Sequence, residues 1–209
     1  MESVYDARTQ FHFIPLLNMR ALFVLIAGAL AVQVSGQSLD LAVDNVGISF
    51  GDSEEFTGLR FNYRDRCLRK MTGINATIWT PYEPARGGVT GLALGLPTTG
   101  AKNIEGLGLG ILGVGAEESL TGIMIGGLGA GAGRDIVGVA IGGLGGGSGR
   151  DATGIMIGGL GAGAGRNMEG IGIGGLGVGA GNDVRGVFIG GLGAGAGRDA
   201  TGCSSEVSA

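Results

Sequence analysis

The chain has 209 residues, of which 49 are glycine and only 5% aromatic, so an ordinary globular core is excluded and any core must be thin and repetitive. A formal net charge of −4 leaves no surplus of Lys and Arg for phosphate contacts. Nucleic acid is therefore not an expected partner.

Residues 1–36 read as a secretory signal peptide. Arg20 precedes an apolar run from Ala21 to Val34, and the small residues Ser35 and Gly36 place cleavage before Gln37. Glu2 and Asp6 make an unusual leading region, which marks Met19 as an alternative start. The run is shorter than the about 20 apolar residues of a membrane span, so export is the expected fate.

Residues 37–105 form a divergent N-terminal section. It is charged, carries Phe56, Phe61, Tyr63, Trp79 and Tyr82, and holds a long loop, PYEPARGG, at 81–88. Terminal coils of repeat proteins are atypical because they seal the stack. A cap is expected here, and Trp79, Tyr82, Glu83 and Arg86 are its candidate interaction residues.

Residues 106–201 are a tandem array with a period of sixteen. Five units run without a gap from Gly122, Gly138, Gly154, Gly170 and Gly186, the first being GIMIGGLGAGAGRDIV. Looser copies begin at Gly106, Gly91, Gly73, Gly58 and Gly47. In each regular unit Ile125, Ile141, Ile157, Ile173 and Ile189 recur unchanged, and Ile or Val stands two residues earlier. The residue between varies: Met124, Ala140, Met156, Gly172, Phe188. This period-two pattern predicts a strand, with the aliphatics inward and the varying residue outward. A second strand is expected with Leu128, Leu144, Leu160, Leu176 and Leu192 inward beside residues such as Ala130 and Ala132, and with glycines 129, 131 and 133 outward. The pair Gly126–Gly127 supplies a bend between strands, and Arg134–Asp135 or its equivalents supply a turn.

Such units cannot bury their aliphatics alone, but stacked units can. The expected fold is all-β: a β-solenoid of about ten short coils with two short strands each. Stacking sets each Arg column beside an Asp column, so like charges are compensated. Arg134, Arg150, Arg166 and Arg198 join the candidate interaction surface. Residues 202–209 begin another unit in register at Gly202 and Cys203, then read as an incomplete repeat or tail. That leaves an edge open to end-to-end pairing, or marks the chain as a shortened version of a longer one. The two cysteines, Cys67 and Cys203, fall about nine coils apart, roughly 43 Å at roughly 4.8 Å per coil. A disulfide spans no more than about 7 Å between Cα atoms, so the pair is not expected to bond.

No catalytic constellation is present. The single histidine, His12, lies in the segment expected to be removed, which excludes His-based triads and metal sites in their usual forms. Gly172–Gly177 fits G-x-G-x-x-G but lacks the strand-turn-helix setting of a nucleotide site. The Asp columns resemble calcium rolls, yet the period differs and Arg precedes most of these Asp residues, so calcium is not expected. Glu117 and Glu118 read as a solvated turn. Asn75-Ala76-Thr77 is a glycosylation sequon inside an expected strand. No cofactor, nucleotide or metal is expected.

With its unit of Gly, aliphatic, any, aliphatic, Gly and a turn, the array from about Gly47 to Gly202 resembles the uncharacterised surface-repeat proteins of bacteria. That resemblance implies a setting at the bacterial envelope and brings no catalytic residues. The leading expectation is a non-catalytic structural or interaction solenoid, exported to the cell surface, whose partner is itself, end to end or face to face, or another surface component. The alternatives are an outer-membrane β-barrel or pore, ice binding through the Thr121, Thr153 and Thr201 column, and a polysaccharide-acting enzyme around Tyr82, Glu83 and Arg86.

Overall fold

The computed structural model describes residues 32–35, 38–65, 68–79 and 86–206. Every element among them is a strand. The signal-peptide reading falls mostly outside these residues; within it, β1 (Val32–Ser35) pairs antiparallel with β2 (Ser38–Val43). β2 in turn forms an antiparallel hairpin with β3 (Val46–Gly51). Asp44 and Asn45 make its two-residue turn with φ of 51° and 61°. Short Asx side chains tolerate that left-handed geometry, and the twist of such a turn matches the strands it joins.

From β3 onward every pairing is parallel, coil against coil. β4 (Glu55–Arg64), β5 (Lys70–Trp79) and β6 (Gly88–Gly95) are single strands of the first coils. β7 (Thr98–Gly110) and β8 (Gly113–Gly126) are long strands that serve both sheets, joined with a register shift between Ala101 and Asn103. Thereafter each coil has a short and a longer strand. The short ones are β9 (Gly129–Ala132), β11 (Gly145–Ser148), β13 (Gly161–Ala164), β15 (Gly177–Ala180) and β17 (Gly193–Ala196). The longer ones are β10 (Asp135–Gly142), β12 (Ala152–Gly158), β14 (Met168–Gly174), β16 (Val184–Gly190) and β18 (Ala200–Glu206). The molecule is an all-β solenoid of about nine turns rather than ten, and the two-strand coil holds only for the regular units. Parallel stacking also differs from the antiparallel closure that defines an outer-membrane barrel.

The repeat alignment carries over residue for residue. Gly47, Gly58, Gly73, Gly91, Gly106, Gly122, Gly138, Gly154, Gly170, Gly186 and Gly202 stand in one column across the long sheet. All have positive φ, and a Cβ on Gly122 would lie 2.1 Å from the carbonyl oxygen of Gly106. Only glycine fits there, which is why this position opens every unit.

The face assignment is reversed from the expectation. Met124, Ala140, Met156 and Phe188 are buried, as is Gly172 between them, whereas Ile123 and Ile125 are 47% and 41% exposed. Leu128, Leu144, Leu160, Leu176 and Leu192 also face outward, while Ala130, Ala162 and Val178 face in. The cause is space. The two strands of a coil double back so tightly that a Cβ on Gly142 would lie 1.8 Å from the carbonyl oxygen of Gly145. That flattened interior accepts Met, Ala and one aliphatic such as Ile136 or Val184 per coil, and two further ladders of Ile and Leu have no room. Along the axis the inner column runs Met124, Ala140, Met156, Gly172, Phe188, alternating large and small so that each large side chain fills the space beside a small neighbour.

Candidate functional site

Three features of the coil carry chemistry, and the first is the outward face of the long sheet. One column there runs Ile48, Leu59, Ile74, Leu92, Leu107, Ile123, Val139, Ile155, Ile171, Val187. Its neighbour runs Phe50, Phe61, Ala76, Leu94, Leu109, Ile125, Ile141, Ile157, Ile173, Ile189. Phe50 and Phe61 stack with ring centroids 5.5 Å apart. Every one of these residues is exposed or half-buried. At about 4.8 Å per strand the stripe is roughly 43 Å long. Beside it lies a mixed column: Thr90, Glu105, Thr121, Val137, Thr153, Glu169, Arg185, Thr201.

The outward face of the short sheet is nearly bare backbone. Gly113, Gly129, Gly145, Gly161, Gly177 and Gly193 line up there behind Thr98. A Cβ at Gly129 or Gly145 would sit 3.4 or 3.5 Å from one carbonyl oxygen, and at Gly193 it would meet nothing. Unlike the glycines of the bends, these are not demanded by the coil itself.

The turn between units holds the second feature, an ion-pair ladder. Arg134 donates to Glu118 at 2.9 Å, Arg150 to Asp135 at 3.1 Å and Arg198 to Asp183 at 3.3 Å, and Arg166 donates to Asp151. Lys102 joins Glu118 at 3.6 Å. Each bond ties one coil to the one before it. At Asp151 burial pushes the carboxyl pKa up, but the Arg166 hydrogen bond and charge, with the Asn167 side chain and backbone amide, outweigh it and hold the pKa below the ordinary value. The four turn arginines of the candidate surface are therefore cross-links between coils.

The third feature lies outside the expectations from sequence. Inside the first coils the inward column is polar: Ser49, Arg60 and Asn75 occupy the places taken further along by Met124 and Phe188. Arg60 is 0% exposed. Its guanidinium donates to Asp65, to Asn75 Oδ1 at 3.2 Å and to Asp52 Oδ1 at 3.0 Å. Asp65 also accepts from Asn62, from Asn75 at 3.2 Å and from Thr77 at 3.2 Å. The alternation in GLRFNYR signalled two faces, but it sets Leu59, Phe61 and Tyr63 outside and Arg60, Asn62 and Arg64 inside. A buried carboxylate with this many donors is a satisfied structural group. The cluster sits in the first parallel coils described, directly after the β2–β3 hairpin.

The remaining candidate residues are scattered. Trp79 ends β5, exposed, and Arg86 is exposed just before β6, while Tyr82, Glu83 and Cys67 lie outside the described residues. Gly172 of the G-x-G-x-x-G match lies within β14 with Val178, Phe188 and Met168 around it, which leaves no phosphate cradle. Asn75 of the sequon is fully buried. Among the described residues no three His, Cys, Asp or Glu side chains converge as a metal group. No family model, no curated protein and no solved structure matches the chain.

Proposed function

We propose that this protein is a non-catalytic interaction solenoid, exported to a bacterial envelope, that holds its partner through the aliphatic face of the long sheet. The carrying observation is the pair of outward aliphatic columns. Largest apolar patches on ordinary soluble monomers cover about 300–600 Å². Two outward columns span about four residues, so at about 3.3 Å per residue and about 4.8 Å per strand the stripe is roughly 13 Å wide and, over about nine strands, covers roughly 560 Å², the top of that range. Single exposed aliphatics need no explanation, but an unbroken ladder repeated in every coil does. The signal peptide supplies the route, and the resemblance to bacterial surface-repeat proteins supplies the setting.

Fractionation of producing cells tests this. The wild-type protein is expected in the envelope fraction, and an Ile141→Asn, Ile157→Asn variant is expected to wash out of it while keeping the same β-sheet circular dichroism. Equal retention of the two proteins overturns the reading.

A further inference from the structure

Resting on that reading, we infer that the partner on the aliphatic face is a second copy of this chain, docked sheet to sheet with the two solenoids antiparallel. Three observations converge on a self-contact.

The first is area. Eight strands, β6 to β18 of the long sheet, give a face of about 20 Å by 38 Å, roughly 760 Å² before corrugation is counted. A stable interface needs about 800 Å² per partner. The second is spacing. The outward side chains repeat with the strand separation, and a surface with the same repeat can match its rows to them along the whole face. A second copy carries that repeat by construction.

The third is charge. In the turn ladder Arg134, Arg150, Arg166 and Arg198 each have an acidic partner within the chain. On the long-sheet face Glu105, Glu169 and Arg185 are exposed and none makes an ion pair with a described residue, although Arg185 lies in register beside Glu169. They stand in one column in the order Glu105, Thr121, Val137, Thr153, Glu169, Arg185. A twofold axis along the strands, placed between Val137 and Thr153, reverses that order. Glu105 then faces Arg185 of the second copy, Arg185 faces its Glu105, and Glu169 faces its Thr121. The same operation sets Ile123 against Ile171, Val139 against Ile155, Ile125 against Ile173 and Ile141 against Ile157. Aliphatic rows meet in the centre and two opposite-charge pairs close the rim, which is the anatomy of a specific interface. Because the operation is twofold, each contact occurs twice and the assembly closes at a dimer.

Sedimentation of the exported protein, with Ile141→Asn, Glu105→Arg, Arg185→Glu and the double charge exchange, decides it. The wild type should run as a dimer, and Ile141→Asn as a monomer with unchanged circular dichroism. Each single charge variant should weaken dimerisation about tenfold, and the double exchange should return it to within about threefold of wild type. A wild type that stays monomeric at 100 μM overturns the inference, as does a dimer indifferent to Ile141→Asn. A double exchange no better than the singles overturns the antiparallel register. If the wild type is monomeric but Ile141 still governs envelope retention, the scaffold reading stands and only the self-partner falls.

Discussion

Gly172 leaves the interior space that Phe188 of the following coil fills: a Cβ on Gly172 would lie 2.8 Å from Cδ1 of that ring and 2.7 Å from Cγ1 of Val178. The core of this solenoid is therefore a stack of complementary volumes and not a ladder of identical residues. Phe188, 2% exposed, is the largest side chain of the inner column in the regular units.

Phe188→Ala should thus cost about 3–5 kcal/mol, the usual range for deleting a buried aromatic ring. Gly172→Ala should destabilise by about 1–3 kcal/mol through overpacking. Combining Gly172→Ala with Phe188→Leu should cost less than Gly172→Ala alone and Phe188→Leu alone added together, because the smaller side chain frees the space that the new methyl needs. Urea unfolding of the four proteins reads this directly. Strict additivity would show that the two positions do not share a space.

Two glycines four residues apart should behave oppositely. A Cβ on Gly143 would lie 1.8 Å from the carbonyl oxygen of Gly127, so Gly143→Ala forces two coils apart. On Gly147 the nearest atom is the carbonyl oxygen of Gly163 at 3.7 Å, an ordinary contact. Gly147→Ala should leave stability unchanged or raise it by up to about 1 kcal/mol, since alanine narrows the unfolded ensemble. Gly143→Ala should lower it by more than about 3 kcal/mol. Thermal melts of both variants check the contrast.

The repeat phase, the bends, the turn and the parallel stacking are all legible in the sequence because they depend on local chemistry and period. Which face turns inward is not, because a period of two defines two faces without naming the buried one. Hydrophobicity names it wrongly here. The clue that decides it is the alternation of Met124, Ala140, Met156, Gly172 and Phe188, which interdigitation requires and a solvated position does not. A second clue lies in the turns. Asp135 and Arg150 form a pair between coils, and at the equivalent places Asn167 and Asn182 have changed together. Exchange of both partners at a spacing of fifteen marks an inter-coil contact. The buried polar cluster is harder to read, because Arg60 and Asp65 come together only when strand β4 folds its charged face inward.

Burying Arg60 has a measurable consequence. Its guanidinium pairs with both Asp65 and Asp52, and Arg60→Met would remove that buried cation from between them. Removing one partner of a buried pair costs about 3–5 kcal/mol. The same change at Arg134, whose side chain is half exposed, should cost no more than about 1 kcal/mol. Denaturant titrations of Arg60→Met and Arg134→Met should therefore differ by several-fold in the loss. Equal losses would mean that the cluster is hydrated and not part of the core.

The turn ladder should be sensed by pH in one direction only. Asp151 has its folded pKa held below the ordinary carboxyl value, with Arg166 and Asn167 overcoming the burial that opposes it. The unfolded chain then binds its proton more readily than the folded one, near the ordinary value of about 3.9. The stability this carboxylate contributes is fully present above that value and is lost as pH falls through the lower folded pKa. A comparison of wild type with Asp151→Asn should accordingly give a gap of no more than about 1 kcal/mol that is flat above roughly pH 5 and closes as acid is added. Chemical unfolding at pH 7, 5, 4 and 3 measures the gap. A difference that widens toward acid would contradict the Arg166 pairing, because protonation can only remove the charge on which that bond depends.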